Sequence, residues 1–223
     1  MIILSEEENY LTIKNAGKHE IIIKKSKFIA SLARTSSVKA ANEFIAQTKK
    51  KYRDATHNTF AYTIGKNDDQ VKASDNGEPS GTAGVPELKA LQLMKLKNVT
   101  VVVTRYFGGI KLGAGGLIRA YSNSVTQAVE SVGVVKRVLQ QELNFHIAYN
   151  RFDEINHYLK EKKILINNTN YGVDIKISVF IDEDKQDPFK KELTNLLAGK
   201  VNFTKGEKRY NEIPVADHNY HEK

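Results

Sequence analysis

Cysteine is absent from all 223 residues. That removes disulfides, thiolate catalysis, iron–sulfur clusters and thiolate zinc sites together. No run of about 18 apolar residues occurs, so no membrane span is expected. The opening residues Met1 to Glu8 are acidic rather than basic and carry no small-residue cleavage pattern, so no secretory signal is expected and the chain reads as cytoplasmic. Charged residues at 27% and hydrophobic ones at 40% exclude a disordered protein. The length is generous for one domain and comfortable for two.

Negative charge is scarce in one half only. Residues 1–137 hold 21 Lys and Arg against 12 Asp and Glu, which leaves +9. Residues 138–223 hold 13 against 14, which leaves −1. The whole basic excess sits in the first part, as a part that faces a polyanion requires, although basic domains without acidic partners are also common.

The second half alternates. Leu143, Phe145, Ile147 and Tyr149 have the period of a half-buried strand, and Val173, Ile175, Ile177, Val179 and Ile181 repeat it. Phe152, Ile155 and Leu159 have helical spacing, and Asp187-Pro188 reads as a helix start. Val201 and Phe203 suggest a last strand, giving βαββαβ over residues 138–210, the ferredoxin-like arrangement. Asn144, His146, Lys176 and Ser178 fall on the solvent side, and residues 211–223 read as a polar tail. The joint between the halves is placed near residues 134–142.

The first half, residues 1–137, is a different α+β unit. Strands are expected at Tyr10–Ile13, Glu20–Lys25, Lys27–Ala33, His57–Ile64 and Val99–Val103, with a basic helix from Val38 to Lys51. Gly65–Gly84 reads as a long loop, Pro86 opens a helix, and a last helix carries Leu117, Tyr121, Val125 and Ala128 on one face. A loop of that length inside a compact domain is either functional or a missed element, and its Gly, Asp, Asn and Ser content argues for function.

Three stretches can carry chemistry. The first holds Asp54 and His57, the second runs from Ser74 to Gly84 with Asp75 and Glu78, and the third runs from Arg105 to Arg119. The third has glycine at Gly108, Gly109, Gly113, Gly115 and Gly116 directly before a helix, with Arg105, Lys111 and Arg119 supplying charge. Glycines before a helix N-terminus let backbone N–H groups approach an anion. The same pattern also serves a tight strand-to-helix turn packed on a sheet, and both readings stand. Gly108 and Gly113 have Walker-A spacing, but Ala114-Gly115 replaces the Lys-Ser/Thr pair. Asp54, His57, Asp75 and Glu78 offer oxygen and imidazole donors, yet His57 opens a strand outside any paired-His motif, so no metal and no cofactor are expected.

The run from Arg105 to Tyr121, together with Asp54-x-x-His57 and Ser74–Gly84, resembles the signature of the IMPACT/YigZ family in its two-domain bacterial form. The resemblance covers about residues 20–130, and the βαββαβ half is similar to the C-terminal domain of bacterial members. It implies an α+β chain whose first domain is an α/β sandwich like the second domain of a small-subunit ribosomal protein. The second domain would resemble domain V of elongation factor G. Eukaryotic relatives regulate translation under amino-acid starvation through a kinase circuit not expected in bacteria, so their partner does not carry over. The expected function is a translation-related binding protein that engages RNA, the ribosome or a translation factor through its basic domain, without a membrane. The alternative is an enzyme acting on a phosphorylated or nucleotide substrate in the glycine-rich cleft.

Overall fold

The computed structural model describes residues 9–216 and 218–220. The described chain divides into two units, Asn9–Arg137 joined by the segment from Glu212 onward, and Val138–Asn211.

The first unit is built on a five-stranded antiparallel sheet. Its strands are β2 (Gly17–Ile23), β3 (Ser26–Arg34), β4 (His57–Ile64), β5 (Gln70–Ser74) and β6 (Val99–Tyr106), in the order β2-β3-β6-β4-β5. Helix α1 (Val38–Lys51) covers one face, where Ala41 and Ile45 meet Phe60, Tyr62, Ile64 and Val102. Helices α2 (Gly84–Leu93) and α3 (Ala114–Val132) cover the other, packing Leu91, Leu117, Tyr121 and Val125 against Phe28, Ala61, Val101 and Val103. Burial on both faces explains why Val99, Val101, Val102 and Val103 are apolar without strict alternation. Ser37 starts α1 by accepting the Ala40 N–H at 3.2 Å, and Lys49, Lys50 and Lys51 meet the negative end of its dipole.

Strand β1 (Tyr10–Ile13) pairs with the first four residues of β7 (Val134–Ile147). Residues 134–142, where the sequence places a joint, are therefore strand rather than linker. The expected loop Gly65–Gly84 also contains a strand, β5, which escapes the pattern because Gln70, Val71 and Lys72 are exposed at the edge of the sheet.

In the second unit, β7 from Val138 is followed by α4 (Phe152–Glu161), β8 (Ile166–Tyr171), β9 (Ile175–Asp182), α5 (Gln186–Leu196) and β10 (Phe203–Pro214). The sheet order is β10-β7-β9-β8. Leu143, Phe145, Ile177 and Val179 form one apolar cluster with Ile155, Leu159, Phe189 and Leu193 of the two helices.

Several local expectations are corrected. Tyr149 lies in a 3-10 turn after β7 and is exposed, and Val173 belongs to the hairpin turn rather than to a strand. Helix α5 starts at Gln186, ahead of Asp187-Pro188, because a 3-10 turn at Glu183–Lys185 leads into it. Ser178 is buried rather than solvated and hydrogen-bonds Glu142. The expected polar tail, residues 211–223, is structured in part: β10 runs to Pro214, Val215 donates its N–H to Val134 O at 3.1 Å, and Tyr220 packs on the first unit's core, while residues 217 and 221–223 lie outside the described residues. No helix among the described residues is long and apolar enough to cross a membrane.

Candidate functional site

The antiparallel register of β4 and β6 sets His57 opposite Arg105 at the end of the sheet where the glycine-rich turn begins. The chain from β5 returns to the same place. Asn76 and Gly77 turn with φ of 41° and 96°, and a Cβ on Gly77 would stand 3.0 Å from His57 Nδ1. The left-handed backbone and the close imidazole both call for glycine there.

Asp75 organises this segment. Its carboxylate accepts the N–H groups of Gly81, Ala83 and Gly84 at 2.8, 3.0 and 2.9 Å, so it satisfies otherwise orphaned donors at the start of α2. Partial burial pushes its pKa up, but the three donors outweigh that and hold the carboxyl below its ordinary value.

Glu78 then reaches inward. Its Oε1 accepts from Arg105 Nη1 at 2.6 Å and from the Tyr121 hydroxyl at 2.8 Å, and His57 Nε2 lies 4.0 Å away. Arg105 Nη2 reaches Ser26 Oγ at 3.4 Å, and the same oxygen accepts the Gly108 N–H at 3.1 Å. Glu78 and Arg105 are 8% and 5% exposed, so both charges are desolvated and each requires the other. Burial beside Glu78 drives the Tyr121 phenol pKa well up, which keeps it a donor.

Behind this pair sits Glu87, fully buried on α2. Burial first, and the nearby Asp75 charge as well, raise its pKa well above the ordinary 4.5. Thr59 Oγ1 lies within hydrogen-bond distance of both Glu87 Oε1 and Val103 O. One hydroxyl proton cannot serve two acceptors, so a protonated Glu87 that donates to Thr59, with Thr59 donating to Val103, satisfies the chain.

The residues singled out from sequence thus separate. His57, Glu78 and Arg105 are brought together, Gly108 joins them through Ser26, and Asp75 shapes the segment that carries Glu78. Asp54 is apart, exposed, and accepts from the Tyr106 hydroxyl at 3.0 Å. Lys111, Gly109, Gly113, Gly115 and Arg119 face solvent, while Gly116 is partly covered and packs on Leu112. Of the three cations expected to present charge at the turn, Arg105 does not, because it is buried and neutralised by Glu78. Gly108 is required by packing: a Cβ there would lie 2.0 Å from the Lys25 backbone. Sequence reasoning missed Ser26, Glu87 and Phe107. Only Phe107 carried a signal, as an aromatic inside the glycine-rich run. No group of three or more His, Asp or Glu among the described residues is placed to hold a metal ion.

A three-layer α/β unit with a glycine-rich turn braced by a buried ion pair, followed by a ferredoxin-like unit, defines an α+β protein of two distinct units. Residues 24–129 match the model of the Impact N-terminal domain, and residues 145–200 match a Domain of unknown function (DUF1949). The IMPACT family member YvyE of Bacillus subtilis is 45% identical over 207 residues, covering 93% of this chain and 95% of that protein. YigZ of Escherichia coli is 35% identical, covering 80% and 89%. Human Protein IMPACT is 35% identical over 104 residues, 40% of this chain and 32% of that protein. A crystal structure described as an hypothetical protein superposes with a TM-score of 0.56 at 31% identity, covering 87% of this chain and 96% of that one. The chain belongs to the IMPACT family.

Proposed function

We propose that this protein binds RNA, free or within the ribosome, through its first unit, and serves a translation-related regulatory role. The translation setting rests on the family resemblance; the binding chemistry rests on one observation. Within residues 9–137 of the first unit, Glu78 and Glu87 turn inward and Asp68 and Asp75 are partly covered and matched, while the exposed lysines outnumber the acids that stay exposed, Glu20, Glu43, Asp54, Asp69 and Glu130. Glu78 is matched by Arg105, Glu87 is buried with its pKa raised by that burial, Asp75 is held by backbone donors, and Asp68 pairs with Lys97 at 2.5 Å. Lys24, Lys25, Lys50, Lys51, Lys72 and Lys111 are exposed. Lys49 is held below its ordinary pKa by partial burial and then by the charge of Lys72.

A dense positive surface serves a polyanion. It supports this reading over turnover of a phosphorylated or nucleotide substrate, because Glu78 and Arg105 are buried and neutralise each other. The experiment is sedimentation of the full chain with ribosomes at rising salt, alongside titration on free RNA. Binding should be firm at low salt and fall steeply, because each phosphate contact releases counterions. Failure to bind ribosomes or RNA even at low salt would overturn the proposal.

A further inference from the structure

We propose that Phe107 is a stacking platform for an unpaired base of single-stranded nucleic acid, a refinement that rests on the polyanion reading above. Phe107 is 46% exposed, and among the described residues it is the one phenylalanine that is exposed. Its ring is braced from behind. The Arg105 guanidinium stands over it at 5.6 Å from the centroid, itself fixed by Glu78 and Ser26. The backbone is pinned on both sides of the ring. The Phe107 N–H donates to Thr56 Oγ1 at 3.0 Å, and Gly108 donates to Ser26 while lying against the Lys25 backbone.

A ring held by a fixed cation and left 46% exposed costs little entropy to stack upon. Its surroundings suit a nucleic acid strand. Ile110 and Ile118 expose 41% and 42% of their surface, and Lys24, Lys25, Lys111 and Arg119 are exposed cations of the same turn, hairpin and helix start. Every base has a π-face, whereas a duplex hides those faces inside its stack. The cations favour this occupant over an apolar protein segment, which would gain nothing from them.

The test is fluorescence anisotropy of the full chain with labelled single-stranded RNA of about 12 nucleotides, the same sequence as single-stranded DNA, and the matching RNA duplex. The RNA and DNA arms separate the two sources of one chemistry. Phe107→Ala and Phe107→Leu should each weaken single-strand binding roughly five- to twentyfold and duplex binding less than about twofold, and Phe107→Trp should restore it. The salt slope should stay unchanged in these variants and flatten in Lys24→Ala/Lys25→Ala. If Phe107→Leu binds like the original, or duplex binding falls as far as single-strand binding, the platform is refuted while the polyanion reading stands. If unsubstituted protein binds none of the three probes, the platform falls, and the sedimentation with ribosomes decides the polyanion reading on its own.

Discussion

The two units solve the problem of a core differently. The main cluster of the second unit is apolar, with Phe145, Phe189 and Phe203 in mutual ring contact at centroid distances of 5.8–6.3 Å, and its buried polar residues are the uncharged Gln141, Ser178 and Gln186. Its ion pairs, such as Lys162–Glu192 at 2.6 Å, sit on the surface, where they contribute little. The first unit runs a seam of Ser26, Thr59, Glu78, Glu87, Arg105 and Tyr121 through its interior. Replacing a buried ion pair with apolar residues of similar volume is often neutral or stabilising, so stability alone does not explain the seam. It lies directly beneath the glycine-rich turn and fixes what that turn displays. The lesson is that a polar interior marks the end of the molecule where shape has to be held.

The largest expected effect comes from breaking the seam. Glu78→Ala leaves Arg105 buried without its countercharge and should destabilise the first unit by about 3–5 kcal/mol. Urea unfolding followed by a first-unit probe would show it, with hydrogen exchange in β9 unchanged. A loss under about 1 kcal/mol would place the pair on a par with the second unit's surface bridges and erase the contrast.

A smaller effect is expected at the turn. Gly108→Ala drives a methyl group into the Lys25 backbone, an overpacking worth about 1–3 kcal/mol. Gly199, whose Cβ would meet nothing within 4 Å, is the matching position in the second unit; its φ of +79° carries only the cost of left-handed backbone, about 1 kcal/mol. Thermal melts of both variants rank the two. Equal losses would mean that the contact with Lys25 relaxes freely.

The smallest effect concerns Glu87. Its folded pKa is raised, so the stability it contributes is complete below about pH 4.5 and is lost as pH rises through the folded value. Glu87→Gln keeps a donor for Thr59 and removes the titration. Near pH 4.5 it should change stability by less than about 1 kcal/mol, and towards neutral pH it should overtake the original protein. Unfolding free energies across pH 4–8 test the sign. Parallel curves would show that Glu87 is ionised in the folded state.

What the sequence made legible follows from the same contrast. An apolar core announces itself through period, so Leu143, Phe145, Ile175, Ile177 and Val179 were readable as strand residues, and Val38–Lys51 as a helix. The seam has no period. Glu87 follows Pro86 at a helix start, where an acid is ordinary, and only the fold reveals Thr59 opposite it. Glu78 and Arg105 stood out individually, but 27 positions separate them and their pairing depends on the β4–β6 register. The sequence therefore presented Arg105 as a free cation. Asp187-Pro188 misled because proline is tolerated anywhere in a helix's first turn, where its missing N–H has no partner to lose.

The hairpin turn between β2 and β3 places two lysines, Lys24 and Lys25, at φ of 45° and 65°. Asn-Gly is the pair that such a mirror-image turn favours, and lysine resists the left-handed region. Selection for folding alone would drive these positions toward Asn-Gly, strip two charges from beside Phe107, and leave a sturdier protein with less to offer a partner. On the proposed reading, stability is conceded at this turn so that two cations stand beside the exposed ring.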